Sequence, residues 1–314
     1  MDKVGKIAAD PLEMQLNRQK GLMNKIKDYL QLVKPSLSIM VVFSSVIAYL
    51  LAPKIVELDW GMVGLLFAGG MLVTGSANAI NQVVERDTDA MMKRTAKRPV
   101  ASGRMSVEEG WAFAIITGLI GVFILGYFFN WLSAGLAAFS LFLYAFIYTP
   151  LKKVNSIAVL VGAVPGALPC LIGWAAGDDQ LSTGGWILFA FQFLWQFPHF
   201  WAIAWVAHTD YSNAGFKLLP ADKGPTKFTA FQTVMYSLLL VPVTLMPFFV
   251  DRMSSYADVK GMISLGLIVL ANLFMIGRCV TLYRTMEVKA ARNVMFGSYM
   301  YLPVVLLALL MSKI

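Results

Sequence analysis

Long apolar segments separated by short polar ones dominate the pattern along this chain. Nine runs are candidate membrane spans, at roughly 36–52, 60–84, 107–128, 131–148, 156–176, 184–207, 228–250, 258–277 and 293–311. Stretches of about 18 or more apolar residues are typical of transmembrane helices, whereas transmembrane β-strands alternate apolar and polar side chains. The pattern therefore predicts an all-α, polytopic membrane protein with nine transmembrane helices, and it excludes a β-barrel.

Lysine and arginine are distributed unevenly among the segments that connect these spans. If the N-terminus lies in the cytoplasm, 22 of the 26 basic residues fall on the cytoplasmic side. The remaining four are Lys54, Arg252, Lys260 and Lys313. Cytoplasmic loops of membrane proteins carry an excess of Lys and Arg. The asymmetry predicts a cytoplasmic N-terminus and an external C-terminus.

The composition agrees, with 58% hydrophobic and only 14% charged residues. The net charge of +8 does not indicate nucleic-acid binding, because membrane orientation accounts for the basic loops. No small-residue cleavage site follows a short apolar stretch, so we expect a polar cytoplasmic segment (1–27) before a nine-helix domain (28–314). Cys170 and Cys279 lie in apolar runs and are expected to be buried free thiols.

The strongest local motif lies at the end of the second span. Asn81, Glu85 and Asp89 are spaced four residues apart, which on a helix places three oxygen ligands in one row. Magnesium binds one or two carboxylates and completes its shell with waters and substrate phosphates. A basic segment follows, with Lys93, Arg94, Lys97, Arg98 and Arg104. The motif predicts a magnesium diphosphate site, although orientation alone also explains the basic residues.

A second motif closes the sixth span and continues into its loop. His199 lies among aromatic residues that include Trp195, and Asp210 and Tyr211 follow on the same side of the membrane as Glu85. Asp210 is a candidate fourth metal ligand. His199 is either a hydrogen-bonded structural group, a proton carrier or a haem contact. The aromatic residues indicate either lipid contact or a wall for a hydrophobic chain or carbocation.

The fourth span ends in Tyr148-Thr-Pro-Leu-Lys152 on that same side. Lys152 is a candidate phosphate contact, and the positive-inside bias explains it equally well. In the fifth span Pro165 and Pro169, together with nearby glycines, predict either a packing kink or an opened helix beside a cavity.

These motifs, in this order, resemble the UbiA superfamily of intramembrane prenyltransferases, and within it the protohaem IX farnesyltransferase branch. The residues that carry the resemblance are Asn81–Asp89, Met92–Pro99, Tyr148–Lys153, Gly166–Pro169, Pro198–Ala202 and Asp210–Gly215. The similarity extends from about residue 28 to the C-terminus. Two positions depart from the superfamily pattern. Glu85 stands where many members have Asp, and Ala214 stands four residues after Asp210 where many have a second acid, which puts a second magnesium in doubt.

The resemblance implies nine helices around a central cavity in a bacterial inner membrane. It implies transfer of farnesyl from farnesyl diphosphate to a vinyl group of haem B, giving haem O and diphosphate. Magnesium would lie on Asn81, Glu85, Asp89 and Asp210. Diphosphate contacts would be Lys93, Arg94, Lys97, Arg98 and Lys152, and acceptor-side candidates are His199, Tyr148, Tyr211 and Trp195. Haem A synthase or oxidase assembly factors are the implied protein partners.

Two alternatives stay open at the level of sequence. One is a prenyltransferase with a different aromatic acceptor, such as a hydroxybenzoate or naphthoate. The other is a transporter, whose site would usually lie near the middle of the bilayer. The acidic residues of this chain instead cluster at one membrane face beside a basic loop, which favours an enzyme.

Overall fold

The fold is a bundle of helices in a computed structural model that describes residues 11–220, 224–249, 254 and 257–313, with side chains from residue 21 onward. The α-helices are α1 Pro11–Val33, α2 Pro35–Leu51, α3 Trp60–Val84, α4 Arg86–Met91, α5 Val107–Phe128, α6 Trp131–Phe142, α7 Thr149–Leu151, α8 Ala158–Asp178, α9 Thr183–Val206, α10 His208–Asn213, α11 Lys227–Leu245, α12 Val259–Thr285 and α13 Val288–Met311. A π-helical turn, Leu143–Tyr148, joins α6 to α7, and a 3₁₀ turn, Met246–Phe248, follows α11.

The predicted all-α membrane architecture is confirmed. Within the described ranges, eight helices are long and apolar enough to span a membrane. A ninth span is formed if Gly21–Val33 and Pro35–Leu51, which bend by 46° where they meet, are counted as one broken span. The structure leaves untested the predicted division at residues 27 and 28, and α1 runs across it. That division stays a prediction, and residues 1–10 lie outside the described part.

Small residues allow the helices to approach one another closely, as is common where transmembrane helices pack. A Cβ at Gly121 of α5 would lie 2.9 Å from the Gly69 carbonyl oxygen of α3. A Cβ at Gly173 of α8 would lie less than 2 Å from the Ser45 carbonyl oxygen of α2. Helix α8 is the most buried candidate span, with 78% of its most apolar 18-residue stretch inside the protein. Its burial places α8 at the centre of the bundle.

We expect Gly173→Ala to destabilise the protein by about 1–3 kcal/mol, because its methyl group would collide with backbone that cannot rotate away. The matched control is Gly277→Ala in α12, where an added Cβ meets nothing within 4 Å. Thermal unfolding of both variants in the same detergent checks the prediction. Equal midpoints would contradict the packing described for α2 and α8.

Helix α8 is α-helical through both prolines, so the predicted opening of this helix is wrong. Pro169 cannot donate to the carbonyl of Pro165, and the Ser140 hydroxyl of α6 donates to that oxygen at 3.2 Å. The predicted free thiols are confirmed, since Cys170 and Cys279 are both buried and unpaired.

Two lysines at the predicted external face stabilise helix C-termini. The Lys313 ammonium donates to the carbonyl oxygens of Leu50 and Ala52, at 2.6 and 3.0 Å, just where α2 ends. The Lys54 ammonium donates to the Asp178 carbonyl at the end of α8. Cations are favourable at helix C-termini, where carbonyl groups lack intrahelical partners. Two of the four basic residues predicted to lie on that face therefore have a structural role.

Candidate active site

The predicted row of oxygen ligands forms where α3 passes into α4. The Glu85 amide donates to the Asn81 carbonyl at 3.0 Å, and the Asp89 amide donates to the Glu85 carbonyl at 2.7 Å. The three residues therefore follow one another at single helical turns, as the spacing predicted. All three side chains are buried. Carboxylates are almost never buried without a partner, so this row requires compensating groups.

Two buried ion pairs supply that compensation. The Lys152 ammonium lies 2.8 Å from Glu85 Oε1, and the Arg98 guanidinium lies 2.5 Å from Asp89 Oδ2. Lys152 comes from the segment after the fourth predicted span, 67 positions along the chain from Glu85. The structure thus brings together two predicted carboxylates and two predicted cations. Each carboxylate that could hold a metal lies beside a cation that could hold a phosphate.

Three buried polar atoms in or next to this row have no hydrogen-bond partner among the described residues: Asn81 Nδ2, Gln82 Oε1 and Asp89 Oδ1. Burial raises the pKa of the Asp89 carboxyl, and the Arg98 guanidinium opposes that shift. A buried carboxylate oxygen with no partner fits a divalent cation, because it can coordinate without breaking the Arg98 bond. The amide of Asn81 presents either its oxygen or its nitrogen there, depending on its rotation. The row therefore fits magnesium.

Lys34 joins the site through a break between α1 and α2, and it is not among the predicted site residues. Its backbone is left-handed, with φ of 52°. That conformation costs roughly 1–2 kcal/mol in a non-glycine residue. Its ammonium interacts electrostatically with Glu85 and Asp89 as well as with Arg98 and Lys152. Strained backbone of this kind is common at functional sites.

Helix α3 holds this break in place. The Asn78 amide donates to the Val33 carbonyl at 3.0 Å, and the Gln82 amide donates to the carbonyls of Gln31 and Leu32, both at 3.0 Å. These carbonyls are among those left without helical partners when α1 ends. Asn78 and Gln82 lie one turn apart and flank Asn81. One short stretch of α3 therefore carries Asn81 of the predicted metal site and, beside it, the two amide side chains that hold the backbone just before Lys34.

Lys152 connects the ion pairs to a chamber between the helices. Its ammonium lies 4.6 Å from the centre of the Tyr148 ring and 6.0 Å from that of Tyr144. Both tyrosines belong to the π-helical turn, and such turns are frequent at functional sites. Tyr148 packs against Gly162, where a Cβ would approach its ring to 2.5 Å. The turn and the glycine together place aromatic faces between the charged site and the chamber.

The chamber has a volume of about 710 Å³ and is lined by residues of α2, α3, α5, α6, α8, α9, α13 and the π-helical turn. This volume falls within the range typical of small-molecule sites. Its walls are mostly apolar and include Tyr144, Tyr148, Trp195, Phe200 and Tyr299. Tyr299 was not a predicted site residue. The predicted central cavity is thus present, and it has an aromatic lining close to the buried ion pairs.

His199 and Trp195 of α9 both line the chamber, as the acceptor-side prediction requires. Their rings stack with centroids 4.7 Å apart and planes inclined by 15°. The His199 Nδ1 atom lies 2.7 Å from the Ser298 hydroxyl of α13. The histidine is therefore hydrogen-bonded and also lines the chamber, so a structural hydrogen bond does not exclude contact with the acceptor.

The remaining predicted residues occupy two cytoplasmic loops that meet near the row. The Arg94 guanidinium donates to the Tyr211 hydroxyl at 3.2 Å, and Met92 packs with Ala214 and Phe216. Asp210 is half-buried beside Tyr211 in α10. Lys93 and Lys97 are exposed. In the part of the chain that the structure describes, no group of three or more Asp, Glu, His or Cys side chains is assembled, so Asp210 as a fourth ligand stays a prediction.

Comparison with known proteins assigns the chain to a family. The sequence profile of the UbiA prenyltransferase family matches residues 41–310. The chain belongs to the UbiA prenyltransferase family. Among curated members of this UbiA family, the protohaem IX farnesyltransferase of Cytophaga hutchinsonii is 39% identical over 293 residues, which cover 93% of this chain and 100% of the relative. That of Flavobacterium psychrophilum is 38% identical and covers 95% of this chain and 98% of the relative.

Solved UbiA-family structures share the fold. A digeranylgeranylglyceryl phosphate synthase superposes with a TM-score of 0.74 at 20% identity, covering 92% of this chain and 98% of that one. A UbiA homologue from Archaeoglobus fulgidus bound to GPP and Mg²⁺ superposes with a TM-score of 0.66 at 16% identity, covering 90% and 99%. At these identities the likeness establishes the fold alone, and it agrees with the all-α membrane architecture of eight or nine spans in the described part of the chain.

Proposed function

We propose that this chain transfers a farnesyl group from farnesyl diphosphate to a vinyl group of haem B, releasing diphosphate and giving haem O. Its curated relatives of 38–39% identity are protohaem IX farnesyltransferases along nearly their whole length. The observation that carries the proposal is the contact of Lys152 with both the Glu85 carboxylate and the Tyr148 ring. That contact joins a charged site to a mostly apolar chamber with an aromatic lining.

Charge complementarity supports a diphosphate at the ion pairs. Glu85 and Asp89 balance Lys152 and Arg98, and the Lys34 side chain interacts electrostatically with all four. Farnesyl diphosphate with one magnesium carries a net charge of about −1 near neutral pH, since its diphosphate group is largely ionised. When the ligand binds, the carboxylates turn to the metal and the two cations turn to phosphate oxygens. The four groups are therefore preorganised as one another's counterions.

Magnesium, when bound by Asn81, Glu85, Asp89 and Asp210, supplies neutralisation of the departing diphosphate. Lys152, Arg98 and Lys34 donate to the phosphate oxygens as negative charge accumulates on them. The C1–O bond of the farnesyl group breaks, and its electron pair leaves with diphosphate. Arg94, Lys93 and Lys97 lie at the more exposed edge, where they would attract the anionic substrate from solution.

The aromatic side chains of the chamber wall stabilise the allylic cation that remains. Tyr144, Tyr148 and Trp195 present aromatic faces, which stabilise positive charge without capturing it. The π electrons of the haem vinyl group then form the new carbon–carbon bond. Water adds to the neighbouring carbon and loses a proton, which yields the hydroxyethylfarnesyl side chain. A dry chamber up to that step prevents hydrolysis of the cation.

Mass spectrometry of haem extracted from cells that express the chain tests this function. We expect a species that carries one added farnesyl group and one added hydroxyl group, absent from cells with an empty vector. Only unmodified haem B, in cells shown to contain the protein, would contradict the haem acceptor. Farnesylated hydroxybenzoate or naphthoate in the same extracts would instead identify a different acceptor for the same site.

We also propose a bacterial inner-membrane location with the N-terminus in the cytoplasm and the C-terminus outside. The charge asymmetry supports this orientation, and two of its four exceptions, Lys54 and Lys313, have a structural role as helix caps. A phosphatase reporter fused after Ile314 is expected to be active, because that enzyme works only outside the cytoplasm. A fluorescent reporter that folds only in the cytoplasm is the matched control, and its fluorescence would contradict the orientation. Haem A synthase or oxidase assembly factors as partners stay a prediction.

A further inference from the structure

The hydrogen bonds of Ser298 determine which nitrogen of His199 carries a proton. The Ser298 hydroxyl donates its single hydrogen to the Met295 carbonyl of its own helix, at 2.6 Å. It lies 2.7 Å from His199 Nδ1 and, with its proton already committed, can only accept there. On this hydrogen-bond pattern we assign the tautomer in which Nδ1 carries the hydrogen and donates it to Ser298. The other ring nitrogen, Nε2, is left with its lone pair.

Aromatic contacts fix the ring in this orientation. Trp195 stacks on one face at 4.7 Å, and Tyr299 packs edge-on at 4.9 Å. The Trp195 indole donates to the Ser298 carbonyl at 3.0 Å, which ties the stacking partner to the residue that holds Nδ1. Rotation of the imidazole would break the Ser298 bond and both ring contacts. The position of Nε2 is thus determined by its neighbours, as a ligand to a metal requires.

The side chain that carries Nε2 forms part of the chamber wall. His199 is 6% exposed and lines the chamber, and Ser298 binds its Nδ1 atom. Within the described residues Nε2 has neither a hydrogen-bond donor nor any other recorded partner. A histidine whose role was structural alone would be expected to use both nitrogens when it is more than nine-tenths buried. The structure therefore contains an imidazole held by its neighbours in the chamber wall, with an unused lone pair on Nε2.

We propose that His199 Nε2 is an axial ligand of the haem iron of the acceptor, with Ser298 and Trp195 as positioning residues. The inference rests on the proposed function, which supplies haem as the acceptor. Neutral imidazole is a common iron ligand, and a hydrogen bond from the opposite nitrogen to a fixed acceptor orients it and raises its basicity. Coordination would hold the porphyrin at one distance from α9, so that a vinyl group reaches the chamber wall beside Tyr148. Haem orientation would then follow from iron ligation as well as from the shape of the chamber.

Ferric haem titrated into purified full-length protein tests the assignment, with the Soret band and low-temperature electron paramagnetic resonance as readouts. In wild-type protein we expect a histidine-ligated spectrum. In His199→Gly we expect that spectrum to be lost and the haem affinity to fall by about tenfold or more. Free imidazole added to His199→Gly is expected to restore the spectrum, because it can occupy the space of the missing ring. The matched control is His208→Gln, which removes the chain's other histidine and should leave spectrum and affinity unchanged.

Two further measurements keep the outcomes distinct. Farnesyl diphosphate binding, measured without haem, should be the same in wild type and His199→Gly, which shows that the variant is folded. Ser298→Ala retains the imidazole and should give a histidine-ligated spectrum with weaker haem affinity, since the ring loses its acceptor. Unchanged spectrum and affinity in His199→Gly would overturn the ligand assignment while leaving haem as the acceptor. Wild-type protein that neither binds nor farnesylates haem would instead refute the proposed function.

Discussion

Asp89→Asn is expected to reduce turnover by a factor of about 100 or more while the protein still folds. The substitution keeps the size of the side chain and removes the charge of the carboxylate whose Oδ1 is buried without a partner. A neutral amide binds a divalent cation more weakly than a carboxylate does and leaves the Arg98 charge unbalanced. About 2.7 kcal/mol of lost transition-state stabilisation corresponds to a hundredfold decrease in rate. The measurement is kcat for farnesyl transfer at saturating magnesium, made on protein that elutes as wild type.

The control for this variant is Asp87→Asn, in the same short helix. The Asp87 side chain is 90% exposed and pairs only with the neighbouring Arg86. Its loss should change kcat by less than a factor of two, because exposed ion pairs contribute little. Asp89→Asn protein with more than a tenth of wild-type kcat would contradict the role of Asp89 as a metal ligand. Equal losses in both variants would indicate a general effect of acidic residues in this loop.

Lys152→Met is expected to abolish turnover and to destabilise the protein by about 3–5 kcal/mol. The ammonium is buried 2.8 Å from Glu85, so its removal leaves an uncompensated buried carboxylate. The same change removes the group that we assign to a phosphate oxygen. Thermal unfolding and farnesyl transfer are the two measurements. Lys153→Met is the matched control, because its side chain is exposed at the adjacent position.

A double variant separates the two roles of Lys152. Glu85→Gln combined with Lys152→Met removes both charges, and we expect it to recover most of the lost stability but none of the turnover. The reason is that stability needs only balance within the pair, whereas catalysis needs a carboxylate for the metal and a cation for the phosphate. Turnover restored together with stability would show that the pair is structural and would remove both residues from the site.

The sequence predicted those features of the site that depend on spacing along one element. Asn81, Glu85 and Asp89 form a row because residues four apart share a helix face, and the buried row has this geometry. The apolar runs likewise predicted the membrane spans, of which the described residues form eight, or nine with the broken pair. The pairing of Lys152 with Glu85 could not be derived in this way, since it joins residues 67 positions apart and depends on how the helices pack. The role of Ser298 in holding His199, 99 positions away, is of the same kind.

The sequence around Lys34 carries a signal for the break between α1 and α2. Lys34 immediately precedes Pro35 at the start of the first apolar run, and proline at a helix N-terminus marks a break from whatever precedes it. Two polar side chains inside the apolar span α3, Asn78 and Gln82, indicated that backbone groups nearby needed partners. Arg104, by contrast, belongs to the basic segment of the first motif but has a structural role. It bonds Asp28, Gln31 and the Lys97 carbonyl, and so it holds the basic segment against α1.

The most direct test of the account is a single reaction of purified protein in lipid nanodiscs with haem B, farnesyl diphosphate and magnesium in ¹⁸O-labelled water. Mass spectrometry of the extracted haem is expected to show one added farnesyl group and one oxygen that carries the label, since the hydroxyl comes from water. The product should be absent without magnesium and absent with Asp89→Asn. Unmodified haem B from active, magnesium-loaded protein, alongside released diphosphate and farnesol, would contradict haem as the acceptor of this site.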